Sequence, residues 1–280
     1  MTLPVPAPEP LPAPVIDSHC HLDITTEYSG LAPADALAAA GEVGVSGVIQ
    51  IGVDVASSRN AVALAEQFDN VRAAVAVHPN EAARRGPELE ADLRELETLA
   101  LNPRVVAIGE TGLDHFRTGA EGRSDQEQSF RDHIRLARRT GKTLVIHDRD
   151  AHADVLRVLG DESLPDRVVF HCFSGDATMA RTCADAGWYL SFPGVLTFKN
   201  AQSLRDAAAV VPPERLLVET DAPFLTPTPH RGSPNASYLM PWTVRALARE
   251  TGSELAELCD RLRANTMAAF ALRADSGLAG

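Results

Sequence analysis

His19 and His21, two residues apart in VIDSHCHLD, are the first residues of the chain placed to do chemistry. Side chains at i and i+2 of an extended strand leave the same face. Both rings can therefore approach one divalent ion, and Cys20 between them must face away. Further ionisable groups close other apolar runs: Glu110 in VVAIGE, His147 in TLVIHD, His171 in VVFHC and Asp221 in LLVETD. Such groups are costly to bury unless paired or metal-bound. Imidazoles and carboxylates together suit one or two ions of Zn²⁺, Mn²⁺ or Mg²⁺. Reading them all as satisfied core residues would require one coincidence per strand. Neither lysine, Lys142 nor Lys199, ends a strand, so no carboxylated lysine is expected to bridge two ions. Glu110 is the better bridge, one oxygen for each ion. His19, His21 and Asp221 would hold the first ion, and His147 and His171 the second.

These residues need a scaffold that gathers strand ends. Short apolar runs suited to buried parallel strands occur at residues 15–23, 45–53, 71–79, 105–110, 143–148, 168–172, 188–195 and 216–221. Amphipathic helical stretches separate them, at 34–42, 57–68, 88–101, 125–140, 153–159, 177–186 and 201–210, with two more at 238–251 and 253–270. Gly141, Gly160 and Gly187 stand where helices should stop. Alternation of this kind gives a closed barrel or a doubly wound sheet. A nucleotide-binding doubly wound sheet would carry a Gly-rich turn after its first strand; here that position holds HCHLD. The expected fold is an α/β, (β/α)₈ TIM barrel, whose active site gathers at the C-terminal ends of the strands. Residues 15–272 form that single domain, preceded by a Pro-rich extended arm, 1–14, expected outside the barrel, and followed by a tail, 273–280.

Composition narrows the function. The 280 residues carry a net charge of −12 and are 45% hydrophobic. An acidic balance argues against a broad basic surface for nucleic acid, though a metal cluster can reverse the potential inside one cleft. No apolar run is long enough to span a membrane, and the start MTLPVPAPEP has no secretory pattern. Cys20, Cys172, Cys183 and Cys259 form no CxxC pair and read as reduced thiols of a cytoplasmic protein. No obligate protein partner is evident.

HCHLD, GETGLD, HCFSG, ETDAPFL and HRGSPN, in this order at these strands, resemble the TatD family of metal-dependent deoxyribonucleases, one of the amidohydrolase-like barrels, from Val15 to Phe270. The resemblance implies the same six metal ligands and hydrolysis of DNA phosphodiester bonds, including 3′→5′ exonuclease action; some members are linked to other hydrolyses, such as removal of D-amino acids from tRNA. The common IHxR appears here as IHDRDAH, and the common NxP after the RG motif as NAS, both on the substrate side. Asp221 and Glu110 are the expected catalytic residues: two ions bind a phosphate oxygen and lower the pKa of a water that Asp221 orients or deprotonates. His78, Arg149 and Arg231 are candidate substrate contacts, the arginines as phosphate clamps. Asp114 would order a ligand or cap a turn, and Ser174 would turn the chain. Trp188, Phe192 and Cys172 read as packing. With so little positive charge, DNA would be held locally, by single-stranded ends entering the mouth. An amidohydrolase or esterase acting on carbonyl centres is the rival enzyme, and a metal-binding protein without activity the rival of another class.

Overall fold

Parity along each strand sorts the apolar side chains into two layers. In a computed structural model describing residues 3–273 and 277, the strands are β1 (Val15–Cys20), β2 (Val45–Ile51), β3 (Val71–Val75), β4 (Val105–Asp114), β5 (Thr143–Arg149), β6 (Val168–Phe170), β7 (Tyr189–Phe192) and β8 (Leu216–Val218). All neighbours pair in parallel, in the order β1 to β8. The circle closes where Asp221 N–H donates to His19 O at 2.9 Å and His21 N–H to Ala222 O at 2.7 Å. Ile49, Ile51, Ala74, Ala107, Val145, Val169 and Leu217 fill the inside of the cylinder, with Ala269 and Phe270. Their neighbours Val48, Leu144, Ile146, Val168 and Leu216 face out, into a larger apolar layer shared with the helices. The expected barrel is therefore the observed one, and the ionisable groups stand above its inner layer.

The helices are α1 (Thr25–Ser29), α2 (Pro33–Glu42), α3 (Val55–Gln67), α4 (Pro79–Arg85), α5 (Leu89–Leu99), α6 (Arg123–Thr140), α7 (His152–Asp161), α8 (Ala177–Asp185), α9 (Gln202–Val210), α10 (Met240–Thr251) and α11 (Leu255–Ala269). Local chemistry sets several ends. Asp54 and Ser57 form a reciprocal capping pair at the start of α3, and Asp176 accepts from Thr178 and Met179 N–H at the start of α8. Gly141 ends α6 in the left-handed region, at φ 66°. Gly160 is no stop, since α7 runs through it to Asp161. The helices α1 and α4 were not expected, although Pro79 at the first helical position is a legible start signal. Among the described residues, no helix is long and apolar enough to cross a membrane.

The Pro-rich arm lies outside the strand cylinder but is held to it. Val5 and Leu11 are buried. Val5 N–H donates to the Tyr238 hydroxyl at 3.2 Å, which donates to Val5 O at 2.9 Å. Leu11 N–H donates to Val43 O at 3.0 Å. Valine and leucine set between prolines are enough to seat an extended segment. Of the C-terminal tail, only Arg273 and Gly277 fall among the described residues.

His133 ties α6 to the end of β3. It is fully buried; Nε2 accepts Val77 N–H at 3.0 Å and Nδ1 pairs with Ser129 O at 2.8 Å, where only a ring N–H can donate. Burial pushes its pKa down to about 4 from an ordinary 6.5. The unfolded chain thus takes up this proton first as pH falls. The stabilisation is complete above pH 6.5 and is lost towards pH 4. Between pH 7 and pH 4.5, wild type is expected to lose about 2 kcal/mol more stability than His133→Gln, at ~1.4 kcal/mol per pKa unit. Urea melts at the two pH values check this; parallel losses would refute it.

Candidate metal centre

Glu110 lies at the centre of the mouth, and its two oxygens face two groups of side chains. Oε1 is 3.5 Å from His19 Nε2 and 3.6 Å from His21 Nε2; Asp221 Oδ1 lies 3.7 Å and 3.5 Å from the same two nitrogens. Oε2 is 2.9 Å from His171 Nε2 and 3.0 Å from His147 Nδ1. The structure thus brings together, around Glu110, all six residues singled out in the sequence. Among the described residues, donor atoms lie within 4.8 Å of one another in His19, His21 and Glu110; in His78, Glu110 and His147; and in His19, His171 and Glu219.

The backbone explains this convergence. β4 does not end at Glu110, as expected, but continues to Asp114; the β4–β5 register shifts between Ile108 and Thr111, and Glu110 lies in the irregularity. Beyond it Gly112 pairs with His147, and a Cβ on Gly112 would lie 2.1 Å from His147 O. Only glycine allows the two strands to approach so closely beside a ligand. His171 follows β6 directly, and Asp221 lies past the end of β8 at φ 52°. Cys20 points into the outer apolar layer, as alternation requires.

Carboxylates stand behind two of the imidazoles, within ion-pair range of their outer nitrogens. His171 Nδ1 lies 3.4 Å from Glu219 Oε1, which also accepts Cys172 N–H at 2.8 Å. His147 Nε2 lies 3.5 Å from Asp114 Oδ2, and Asp114 accepts from Asn80 Nδ2 at 3.0 Å and Arg117 N–H at 2.8 Å. Asp114 therefore does both things expected of it. Carboxylates so placed stand on the side where a metal-bound imidazole carries its proton. Asp17, fully buried below His19, accepts from Thr220 N–H at 3.0 Å and His19 N–H at 3.3 Å, joining β1 to the segment after β8. Sequence reasoning missed Glu219 and Asp17. Period two was their signal: each lies two residues before a chosen ligand. Replacing Glu219 by Gln is expected to lower metal affinity 10–100-fold while leaving the fold intact, as measured by metal titration alongside a thermal melt; unchanged affinity would leave Glu219 a purely structural role.

The field in the cluster favours cations. Burial pushes His171, His147 and His21 down, yet neighbouring carboxylates outweigh it and raise all three: Glu110 and Glu219 at His171, Asp114 and Glu110 at His147, and Asp221 at His21. Burial would raise Glu110 and Asp221 too, but the surrounding imidazoles hold both below the usual carboxylate range. Burial pushes His19 down, aided by repulsion from His171, and neither of its ring nitrogens has a hydrogen-bond partner among the described residues. Ionised carboxylates that draw positive charge, around a buried imidazole without a hydrogen bond, fit a divalent ion.

Of the remaining candidates, His78 reaches the cluster. Its Nδ1 accepts Asn80 N–H at 3.1 Å, capping α4, so the neutral ring carries its proton on Nε2, 3.7 Å from Glu110 Oε2. Burial lowers its pKa to about 3, which keeps it neutral. His78 is thus a donor facing the cluster rather than a lone pair for an ion. Arg149 and Arg231 make no polar contact with the six residues; their guanidinium carbons lie 4.2 Å and 4.3 Å above the rings of Phe116 and Phe198. Asp148 is buried and bonds His152 at 2.8 Å, and Ser174 Oγ donates to Asp148 O at 3.0 Å. Trp188 and Phe192 pack as expected. Cys172 does not: it is half-buried at φ 44°, next to His171.

Comparison with known proteins resolves the family. A family model described as TatD related DNase matches residues 16–271. The chain belongs to the TatD family. This TatD-family chain is 44% identical over 262 residues to the Mycobacterium tuberculosis uncharacterized metal-dependent hydrolase TatD, covering 92% of this chain and 98% of that one. It is 41% identical to the Escherichia coli K12 uncharacterized metal-dependent hydrolase YcfH, covering 79% and 82%. The crystal structure of YJJV, a TatD homolog from E. coli K12, superposes with a TM-score of 0.85 at 27% identity, over 92% of this chain and 98% of that one. Family and geometry together make the chain a metal-dependent hydrolase with a TIM-barrel fold.

Proposed function

We propose that the chain hydrolyses DNA phosphodiester bonds, degrading single-stranded ends in the 3′→5′ direction. One observation carries this reading: a single carboxylate, Glu110, presents one oxygen to His19 and His21 and the other to His147 and His171. That arrangement suits a pair of adjacent ions, and the family model is described as a DNase. Divalent ions held there by these residues with Asp221 would lower the pKa of a water and offset charge developing on the phosphate.

The chain's own groups do the rest. Asp221 remains ionised at neutral pH, held there against burial by His21, His19 and His171, so its free oxygen can take a proton from the attacking water. His78 offers Nε2–H to a phosphate oxygen. Arg149 and Arg231, at the rim, neutralise flanking phosphates. Cys172 is no nucleophile: burial and the nearby carboxylates keep its thiol protonated. The water oxygen bonds to phosphorus as the P–O bond to the departing sugar breaks, and the proton taken by Asp221 passes to that leaving oxygen.

An acidic protein with two rim arginines neutralises few phosphates at once. The salt slope of DNA binding should therefore be shallow, at about one unit or less per phosphate. Linear single-stranded DNA should be degraded from its ends, and circular DNA of the same sequence should resist. Digestion of both forms by metal-loaded protein, beside RNA and aminoacyl-tRNA, tests the reading. Equal cleavage of the circle would show internal attack, and turnover confined to aminoacyl-tRNA would move the chemistry to a carbonyl centre.

A further inference from the structure

Among the described residues, four large apolar side chains stand out in solvent: Tyr28, Leu101, Phe116 and Phe224, at 50%, 77%, 62% and 41% exposure. Leu101 lies between α5 and β4, at the end of the cylinder away from the site. The three aromatics all follow strands. Tyr28 is in α1 after β1, Phe116 comes two residues after β4, and Phe224 comes three residues after Asp221. They rim the same mouth as the histidine cluster, in two groups. The Tyr28 and Phe224 rings meet edge to face with centroids 5.5 Å apart, and Phe224 is 6.2 Å from His21. Phe116 carries the Arg149 guanidinium 4.2 Å above its ring. β1 adjoins β8, and β4 and β5 stand across the barrel from them, so the two groups face each other over the cluster.

Asn235 holds one of these groups in place. Its buried amide donates to Thr220 O at 3.0 Å and Phe224 O at 2.6 Å, fixing the turn that carries both Asp221 and Phe224. An aromatic face kept in water beside a catalytic cluster loses nothing by taking a flat apolar partner. With a net charge of −12, the chain must gain affinity for a polyanion by means other than charge.

We propose that Tyr28–Phe224 and Phe116–Arg149 are two nucleobase-stacking platforms, and that the substrate is a single DNA strand whose unpaired bases on either side of the scissile linkage lie on them. The proposal rests on the DNA-hydrolase reading and deepens it. Aromatic rings and guanidinium planes stack any base, so the platforms select for unpaired strands rather than for sequence. Bases inside a duplex have both faces covered by their neighbours, and an open end is the nearest source of free ones. Arg149 can offer its plane to a base and its edge N–H groups to the adjoining phosphate.

The test is binding of a phosphorothioate-linked single-stranded DNA decamer in Mg²⁺, read by fluorescence anisotropy, with digestion of the ordinary decamer in parallel. Tyr28→Ala, Phe224→Ala and Phe116→Ala should each weaken binding about tenfold or more, and Phe224→Trp should restore it. Their exposure makes misfolding improbable, and thermal melts verify this; Leu101→Ala should bind as wild type does. Abasic sites flanking the central linkage should weaken wild-type binding by the product of the two platforms' factors yet cost the double variant Phe116→Ala/Phe224→Ala nothing further. If wild type digests the decamer while the alanine variants bind it unchanged, or lose as much on abasic as on ordinary DNA, the platforms are overturned and the DNA reading stands. If wild type neither binds nor digests the decamer, the DNA reading falls and the platforms fall with it.

Discussion

Asp221→Asn is expected to fold like wild type yet turn over at least ~10²-fold more slowly, the range of a lost general base. Asparagine keeps the size of the side chain and one oxygen near His21, so the mouth should hold its shape. It lacks the basic oxygen that takes a proton from water. Burial alone would make the carboxyl hard to ionise, and the imidazoles of His21, His19 and His171 overcome this. Asp221 is thus an anion whose charge the site maintains. Thermal melts, metal stoichiometry and steady-state kinetics on one preparation decide the matter. A fully metal-loaded Asn variant with near-normal turnover would remove Asp221 from proton transfer.

Glu110→Gln should have a broader effect. The amide can offer one weak oxygen where the carboxylate offers two, and it adds an N–H₂ facing imidazoles raised by that same carboxylate. Both groups of donors lose their shared partner at once. Metal affinity should fall more than 100-fold, beyond the 10–100-fold typical of removing a group behind a ligand, and turnover should fall with it. Calorimetric titration of wild type and variant checks this. Loss of one ion with the second held at wild-type affinity would show that Glu110 serves one group only.

The barrel was legible because strands of Val, Ile and Leu alternate with amphipathic helices, and the six clustered residues because each closes or follows such a run. What was missed has physical reasons. Glu110 read as the end of a strand because a register shift has no signature in one chain; the partner strand defines it. Glu219 and Asp17 were hidden by the ligands chosen two residues later, although the same period of two points to them. Phe116 and Phe224 lie in loops and Tyr28 in the five-residue helix α1, too short for periodicity to tell an exposed ring from a buried one. The arm read only as an extended segment outside the barrel because proline signals an extended chain, yet Val5 and Leu11 between the prolines are apolar enough to seat it.

Asp17 accepts the N–H of Thr220 across 203 residues, and the Tyr238 hydroxyl reaches Val5 across 233. During synthesis, then, the first strand waits for the last. A nascent chain that has emerged only as far as β7 possesses five of the six clustered residues and no Asp221. Its two terminal strands keep open edges, which are templates for pairing with other chains. Hydrolytic capability arrives only when β8 and Asp221 have cleared the ribosome and the ring shuts. An incomplete chain is therefore an aggregation hazard before it is ever a hydrolase.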